Sequence, residues 1–115
     1  FILREPGSGT RQIMEDKLEA HGVHHDDLQI AMELGSTQAI KEAVEAGLGI
    51  SIISKWAIKK DLKFKTLGMT TVEGCDFTRV FNVVYNKHHF LTQATETFIK
   101  LLQDEGLVKT IEEKH

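Results

Sequence analysis

Short apolar runs alternate with amphipathic stretches along this chain, joined by connections of only a few residues, and this alternation constrains the fold more than any other feature. Phe1-Ile2-Leu3-Arg4-Glu5 reads as a strand, closed by Pro6-Gly7-Ser8-Gly9. Thr10 to His21 has helical spacing, with Ile13, Met14, Leu18 and His21 on one stripe and Gly22 as its stop. After a polar link, Leu28 to Leu34 reads as a strand, Gly35-Ser36-Thr37 as a turn, and Gln38 to Ala46 as a helix with Ile40, Ala43 and Val44 inward. Gly47-Leu48-Gly49 closes that helix. The spacing then predicts a buried strand over Ile50 to Ser54, a short helix over Trp56 to Asp61, a strand over Leu62 to Leu67 and a loop over Gly68 to Asp76. Arg79 to Asn86 follows as a strand. Leu91 to Gln103 is the longest helix, with Leu91, Ala94, Thr95, Phe98, Leu101 and Leu102 on its apolar side, ended by Gly106 and followed by a tail. Such alternation is the mark of an α/β fold with a largely parallel sheet and right-handed crossovers that set helices on both faces.

Composition narrows the function. A chain of 115 residues, 41% hydrophobic, is long enough to bury roughly two-thirds of its unfolded surface without staples. The single Cys75 cannot form a disulfide within the chain. A formal net charge of -3 argues against a phosphate-backbone binder, whose affinity rests on clustered Lys and Arg. No apolar stretch reaches the ~20 residues that span a bilayer, and no leader pattern is present, so a soluble, cytoplasmic protein is expected.

Two strand-to-helix junctions carry the chemistry: Glu5-Pro6-Gly7-Ser8-Gly9-Thr10-Arg11 and Glu33-Leu34-Gly35-Ser36-Thr37-Gln38. Each places glycines and small hydroxyl residues where a helix begins. The first-turn amides of a helix and the positive end of its dipole favour a carboxylate, sulfate or phosphate. In a parallel sheet both junctions lie at the carboxyl ends of neighbouring strands, the edge where ligands bind, and Ser54 at the end of the third strand shares that rim. The bland alternative is that the serines and threonines are helix caps. Nucleotide motifs fail: no Lys-Ser/Thr pair follows Gly9, and Gln12 stands where a dinucleotide fingerprint needs its third small residue.

The residues Phe1 to Arg11, then Met32-Glu33-Leu34-Gly35-Ser36-Thr37-Gln38-Ala39-Ile40-Lys41 and Ala43 to Ser54, closely resemble the effector-binding region of LysR-type transcriptional regulators. Val83-Val84-Tyr85-Asn86 and the Leu91 to Gln103 helix match that family's carboxyl end. The resemblance runs in order from Phe1 to about Gly106 and is closest in wording to members governing sulfur assimilation or carbon fixation. It implies a Rossmann-like lobe of a type 2 periplasmic-binding-protein fold: residues 1–70 as the second lobe, 71–78 as a crossover, 79–106 as a strand and helix returning to the first lobe, and 107–115 as a tail. By the same resemblance the chain is a piece of a longer regulator, contacting DNA only through an amino-terminal winged helix outside it. Gly7, Ser8, Gly9, Thr10, Gly35, Ser36 and Thr37 would line an inter-lobe cleft for a small anionic effector. The helix Thr10 to His21 and the strand Gln29 to Leu34 would serve self-association. No catalysis, cofactor or membrane contact is implied. Two rivals share the scaffold: a periplasmic-type solute-binding protein, and an enzyme such as prephenate dehydratase, which would need an acid or nucleophile in the cleft.

Other residues read as ordinary. His21, His24, His25, Asp26 and Asp27 have metal-ligand types but sit in a polar connection, His88 and His89 precede a helix, and no base is identifiable beside Cys75. Trp56 reads as packing. Arg4, near the end of an inner strand, needs a partner, with Glu5, Glu33 or an anionic effector on offer.

Overall fold

The computed structural model describes residues 1–78, 82–88 and 90–104. The chain divides into two compact units, Phe1–Arg79 and Val80–His115. The first is an α/β unit. Strands β1 (Ile2–Arg4) and β2 (Met32–Leu34) pair in parallel, with Ile2, Leu3 and Arg4 opposite Met32, Glu33 and Leu34. Helix α1 (Gly9–Ala20) connects them, and α2 (Thr37–Glu45) follows β2. A 3-10 turn at Lys55–Ile58 then leads into α3 (Lys59–Lys63).

Because strand side chains alternate, Ile2 and Leu3 enter opposite faces of the pair. Ile2 is fully buried against Ile40 and Ala43 of α2, with Met32, Leu34, Val44 and Ile53 packed around them. Leu3 and its partner Glu33 look to the other face, where Arg11 of α1 reaches Glu33. The two helices therefore leave the sheet on opposite sides. Gly49 passes so close to the core that a Cβ there would lie 3.2 Å from Cγ1 of Ile2. Lys41 of α2 ties α3 down: its ammonium meets Asp61 Oδ2 at 2.8 Å and donates to the Ala57 carbonyl at 3.0 Å.

The helices over 10–21, 38–46 and 91–103 appear as α1, α2 and α4 (Gln93–Gln103), each shifted by at most about two residues. The strands are fewer than the apolar runs suggest. Of Leu28 to Leu34 only Met32–Leu34 is strand: a 3-10 turn at His25–Asp27, in which Asp27 accepts from the His24 amide, precedes the run, and Gln29 and Ala31 bond to Phe1 without forming a regular ladder. Ile50 to Ser54 is not a regular strand, and Ile50 is 62% exposed. It approaches β1 through the Ile2 amide, which donates to the Ile50 carbonyl at 2.8 Å. The Ser51 hydroxyl then donates to the Ile2 carbonyl at 2.7 Å, taking the acceptor that the next ladder rung requires. Ser54 is exposed and opens the Lys55–Ile58 turn instead of ending a strand.

Leu62 to Leu67 is also not a strand. Helix α3 continues to Lys63 and ends in a Schellman cap: Lys65 takes φ 57°, its amide donates to the Leu62 carbonyl, and the Thr66 amide donates to the Asp61 carbonyl. A lysine occupies a left-handed position that glycine fills at less cost. Lys65→Gly is expected to raise unfolding free energy by about 0.5–1 kcal/mol, read as a higher urea midpoint at unchanged slope.

His21, placed on the apolar stripe of α1 by its spacing, is exposed at the helix end, where its Nδ1 lies 2.8 Å from the Lys17 carbonyl. Met14 is the buried member of that stripe. In the second unit, α4 is capped by Thr92, which accepts from the Thr95 amide, and Phe98, Leu101 and Leu102 are exposed. Residues 82–86 form no regular strand. The remainder of the expected Arg79 to Asn86 strand, His89, Gly106 and the tail lie outside the described residues. No helix among the described residues is long and apolar enough to cross a membrane.

Candidate functional site

The parallel register sets Arg4 beside Leu34, so the two glycine- and serine-bearing turns emerge from neighbouring strand ends. At the first, Ser8 is buried and its Oγ accepts from the Arg11 amide, while its carbonyl starts the helical ladder to Gln12. Gly7 supports the turn with φ 93°. At the second, Ser36 Oγ accepts from the Ala39 amide at 3.1 Å. Both serines thus cap helices. The amides of Gly9, Thr10, Thr37 and Gln38 precede any intrahelical acceptor, and neither helix has an acidic residue in its first turn to neutralise its dipole.

Two arginines organise the junctions. Arg4 grips Glu5 through two bonds, Nε to Oε2 at 2.8 Å and Nη2 to Oε1 at 3.0 Å, which answers its need for a partner. That paired guanidinium holds the Glu5 carboxyl below the usual carboxylate range. Arg4 Nη1 also donates to Thr37 Oγ1 at 3.1 Å, linking the first strand to the second helix. A guanidinium only donates, so the Thr37 hydroxyl proton is directed elsewhere and remains available to an acceptor. Arg11 works on the opposite face. Its side chain, 9% exposed, donates to the Arg4 carbonyl at 2.9 Å and pairs with Glu15 and Glu33 at 2.8 and 3.1 Å. Glu15, followed by Glu33, raises its already high pKa.

The seven sequence-derived residues therefore gather at two adjacent helix starts, Gly7, Ser8, Gly9 and Thr10 at one and Gly35, Ser36 and Thr37 at the other. Arg11 was not among them. Only its i,i+4 spacing to Glu15 shows in the sequence; its bonds to the Arg4 carbonyl and to Glu33 leave no local trace. A concavity of about 580 Å³ lies instead at the amino ends of the strands, around Phe1, Gln29, Ala31 and Ile50, and a second of about 360 Å³ runs beside Glu15, Asp16, Glu19 and the histidines. None of the seven lines either.

The remaining candidates are bound up in local contacts. His24 and His25 lie 3.8 and 3.3 Å from Glu19 and Glu15, and no group of three or more His, Cys, Asp or Glu among the described residues is placed to hold a metal ion. Trp56 is half exposed, with the Lys59 ammonium 3.9 Å from its ring centroid, so it does not serve as a core residue. A base candidate does stand near Cys75: His21 Nδ1 is 3.8 Å from its sulfur. The same nitrogen faces the Lys17 carbonyl, so it carries the proton and has no lone pair for the thiol.

Residues 1–107 match the family described as LysR substrate binding domain. The chain is 39% identical over 102 residues to a RuBisCO operon transcriptional regulator of Acidithiobacillus ferrooxidans, covering 89% of this chain and 32% of that protein. It is 36% identical over 103 residues to the HTH-type transcriptional regulator CbbR of Rhodospirillum rubrum, covering 90% of this chain and 34% of that one. A probable RuBisCO transcriptional regulator of Porphyra purpurea is 34% identical over 98 residues, with 85% and 31% covered. The chain spans about a third of the length of these relatives.

Proposed function

Because this chain belongs to the LysR substrate binding domain family, we propose that it is the effector-sensing part of a transcriptional regulator and binds a small anionic metabolite at its two helix starts. The observation that carries this reading is the parallel pairing of Arg4 with Leu34, which brings two serine-capped helix starts to one sheet edge with no first-turn acid at either. Gly7, Ser8, Gly9, Thr10, Gly35, Ser36 and Thr37 supply the contacts: amides and hydroxyls donate, and the dipoles supply positive potential. A fixed set of donors without a positioned acid or nucleophile binds an anion and leaves its bonds intact.

In this reading residues 1–70 form the second lobe of a type 2 periplasmic-binding-protein fold, 71–78 cross over, 79–106 return a strand and helix to the first lobe, and 107–115 are a tail. A metabolite closed between lobes changes the balance of two shapes only through unequal affinity for them. The α1 helix and the segment Gln29 to Leu34 serve self-association. A winged-helix domain reads the operator in the cytoplasm, with RuBisCO operons as the targets that the relatives' names suggest.

Thr10→Val and Thr37→Val, in a full-length regulator carrying this segment, are each expected to weaken the response to effector about ten- to hundredfold, the loss of a hydrogen bond to a charged group. The checking measurement is reporter output against effector concentration. An unchanged midpoint in both variants would remove these residues from the site.

A further inference from the structure

Positive charge is unevenly spread over this acidic chain. Five of its fourteen Lys and Arg residues, and one of its seventeen Asp and Glu residues, fall within residues 55–65. That one acid, Asp61, is turned inward onto Lys41, each side chain 16% exposed, so it does not mask the surface. Lys55, Lys60, Lys63 and Lys65 are exposed on the 3-10 turn, α3 and its cap. Among the described residues no ion pair joins any of these four to an acid. The patch is built firmly: Lys41 holds α3 from beneath, and the Schellman cap fixes Lys65 beyond its end.

We propose that this surface docks on the phosphate backbone of duplex DNA, as a contact separate from any domain that reads sequence. Choosing DNA among polyanions rests on the reading of the chain as part of a transcriptional regulator. The nine residues of the turn and α3 rise about 15 Å, and one strand of a duplex carries a charge per about 3.4 Å of axis, so a strand running along this length offers about four phosphates to the four lysines. The strongly acidic remainder of the chain is repelled, which leaves one face to meet the polyanion. Lysine is a point charge without arginine's planar fork, suited to phosphates and not to base edges. Exposed rings are platforms for single strands, yet here the Lys59 ammonium lies over the Trp56 ring and that of Lys63 stands 5.9 Å from the Phe64 centroid. The rings orient cations instead of stacking bases, which favours the duplex. The net charge of the whole chain averages this patch away.

The test is fluorescence anisotropy of a labelled 20-base-pair duplex of arbitrary sequence, titrated with this chain between about 20 and 150 mM KCl. With four phosphates neutralised, affinity is expected to fall with salt at a log–log slope of about -3.6. Lys60→Glu with Lys63→Glu should weaken binding at least about tenfold at the lowest salt and flatten the slope. Lys60→Gln with Lys65→Gly is the second variant, chosen because the glycine favours the cap, and should reduce the slope by about two. Lys17→Glu with Lys87→Glu makes the same change in net charge elsewhere and should have little effect. Absence of salt-dependent binding, equal loss in the control pair, or tighter binding of a single strand would overturn the proposal. Tighter binding of a 20-residue poly-glutamate than of the duplex would overturn it too and assign the surface to an acidic protein. None of these outcomes bears on the effector response of the threonine variants, so the two readings fail separately.

Discussion

Ile40→Ala is expected to lower the unfolding free energy by about 3–4 kcal/mol. Ile40 is fully buried on α2 against Ile2 of β1, also fully buried, and is surrounded by Met32 and Leu34 of β2, Val44 of α2 and Ile53 of the segment beside β1. A site so fixed collapses poorly around a lost side chain, and both the transfer and the cavity terms are then incurred. Against a total of about 5–15 kcal/mol for a domain, such a loss removes between about a fifth and four-fifths of the stability. Urea titration followed by circular dichroism measures it. Phe98→Ala, at a side chain 58% exposed, should cost less than about 0.5 kcal/mol. Equal losses at the two positions would mean that the β1–α2 contact is not the core.

Arg11→Met should cost about 2 kcal/mol, with a different signature. The methionine keeps the apolar stem but leaves the Arg4 carbonyl without its 2.9 Å donor and Glu33 without its cation. Hydrogen bonds to a charged group are worth about 1.5–3 kcal/mol, and the partial exposure of Glu15 and Glu33 keeps the sum near the middle of that range. Arg11→Lys should recover only part, because one ammonium cannot reach the strand carbonyl and both carboxylates in the fork geometry. Faster amide exchange confined to Arg11 and its neighbours at the first helix start would accompany the loss, whereas a wild-type urea midpoint would show that Arg11 does not hold the strand ends together.

How much of this was legible beforehand depended on the kind of signal. Helical periodicity placed α1, α2 and α4 because an apolar stripe leaves a repeated trace over two turns or more, even where, as on α4, the stripe is exposed. Short apolar runs are weaker evidence, since burial requires apolarity whether or not a ladder forms. Ile50 to Ser54 satisfied the composition of a strand, but the Ser51 hydroxyl took the Ile2 carbonyl. Leu62 to Leu67 also read as a strand, but there α3 runs on to Lys63 and the amides of Lys65 and Thr66 close its cap on the Leu62 and Asp61 carbonyls. The two junctions were legible because capping residues and glycines sit at fixed offsets from a helix start. Arg4 announced its need for a partner. Arg11 did not announce its role, since reaching a carbonyl seven residues back and a carboxylate on the next strand is a property of the crossover and not of any local pattern.

The pairing of Ile2–Arg4 with Met32–Leu34 also has a kinetic side. Each rung joins residues thirty apart, and each strand is only three residues long. No hairpin can seed such a pair: the loop holding α1 must close before any rung is made, and closure entropy is spent before contacts repay it. Helices, whose contacts are local, have no such delay. The strand ends that carry both helix starts therefore come together only once the crossover has closed, so the edge on which a ligand would arrive assembles after the helices that begin there.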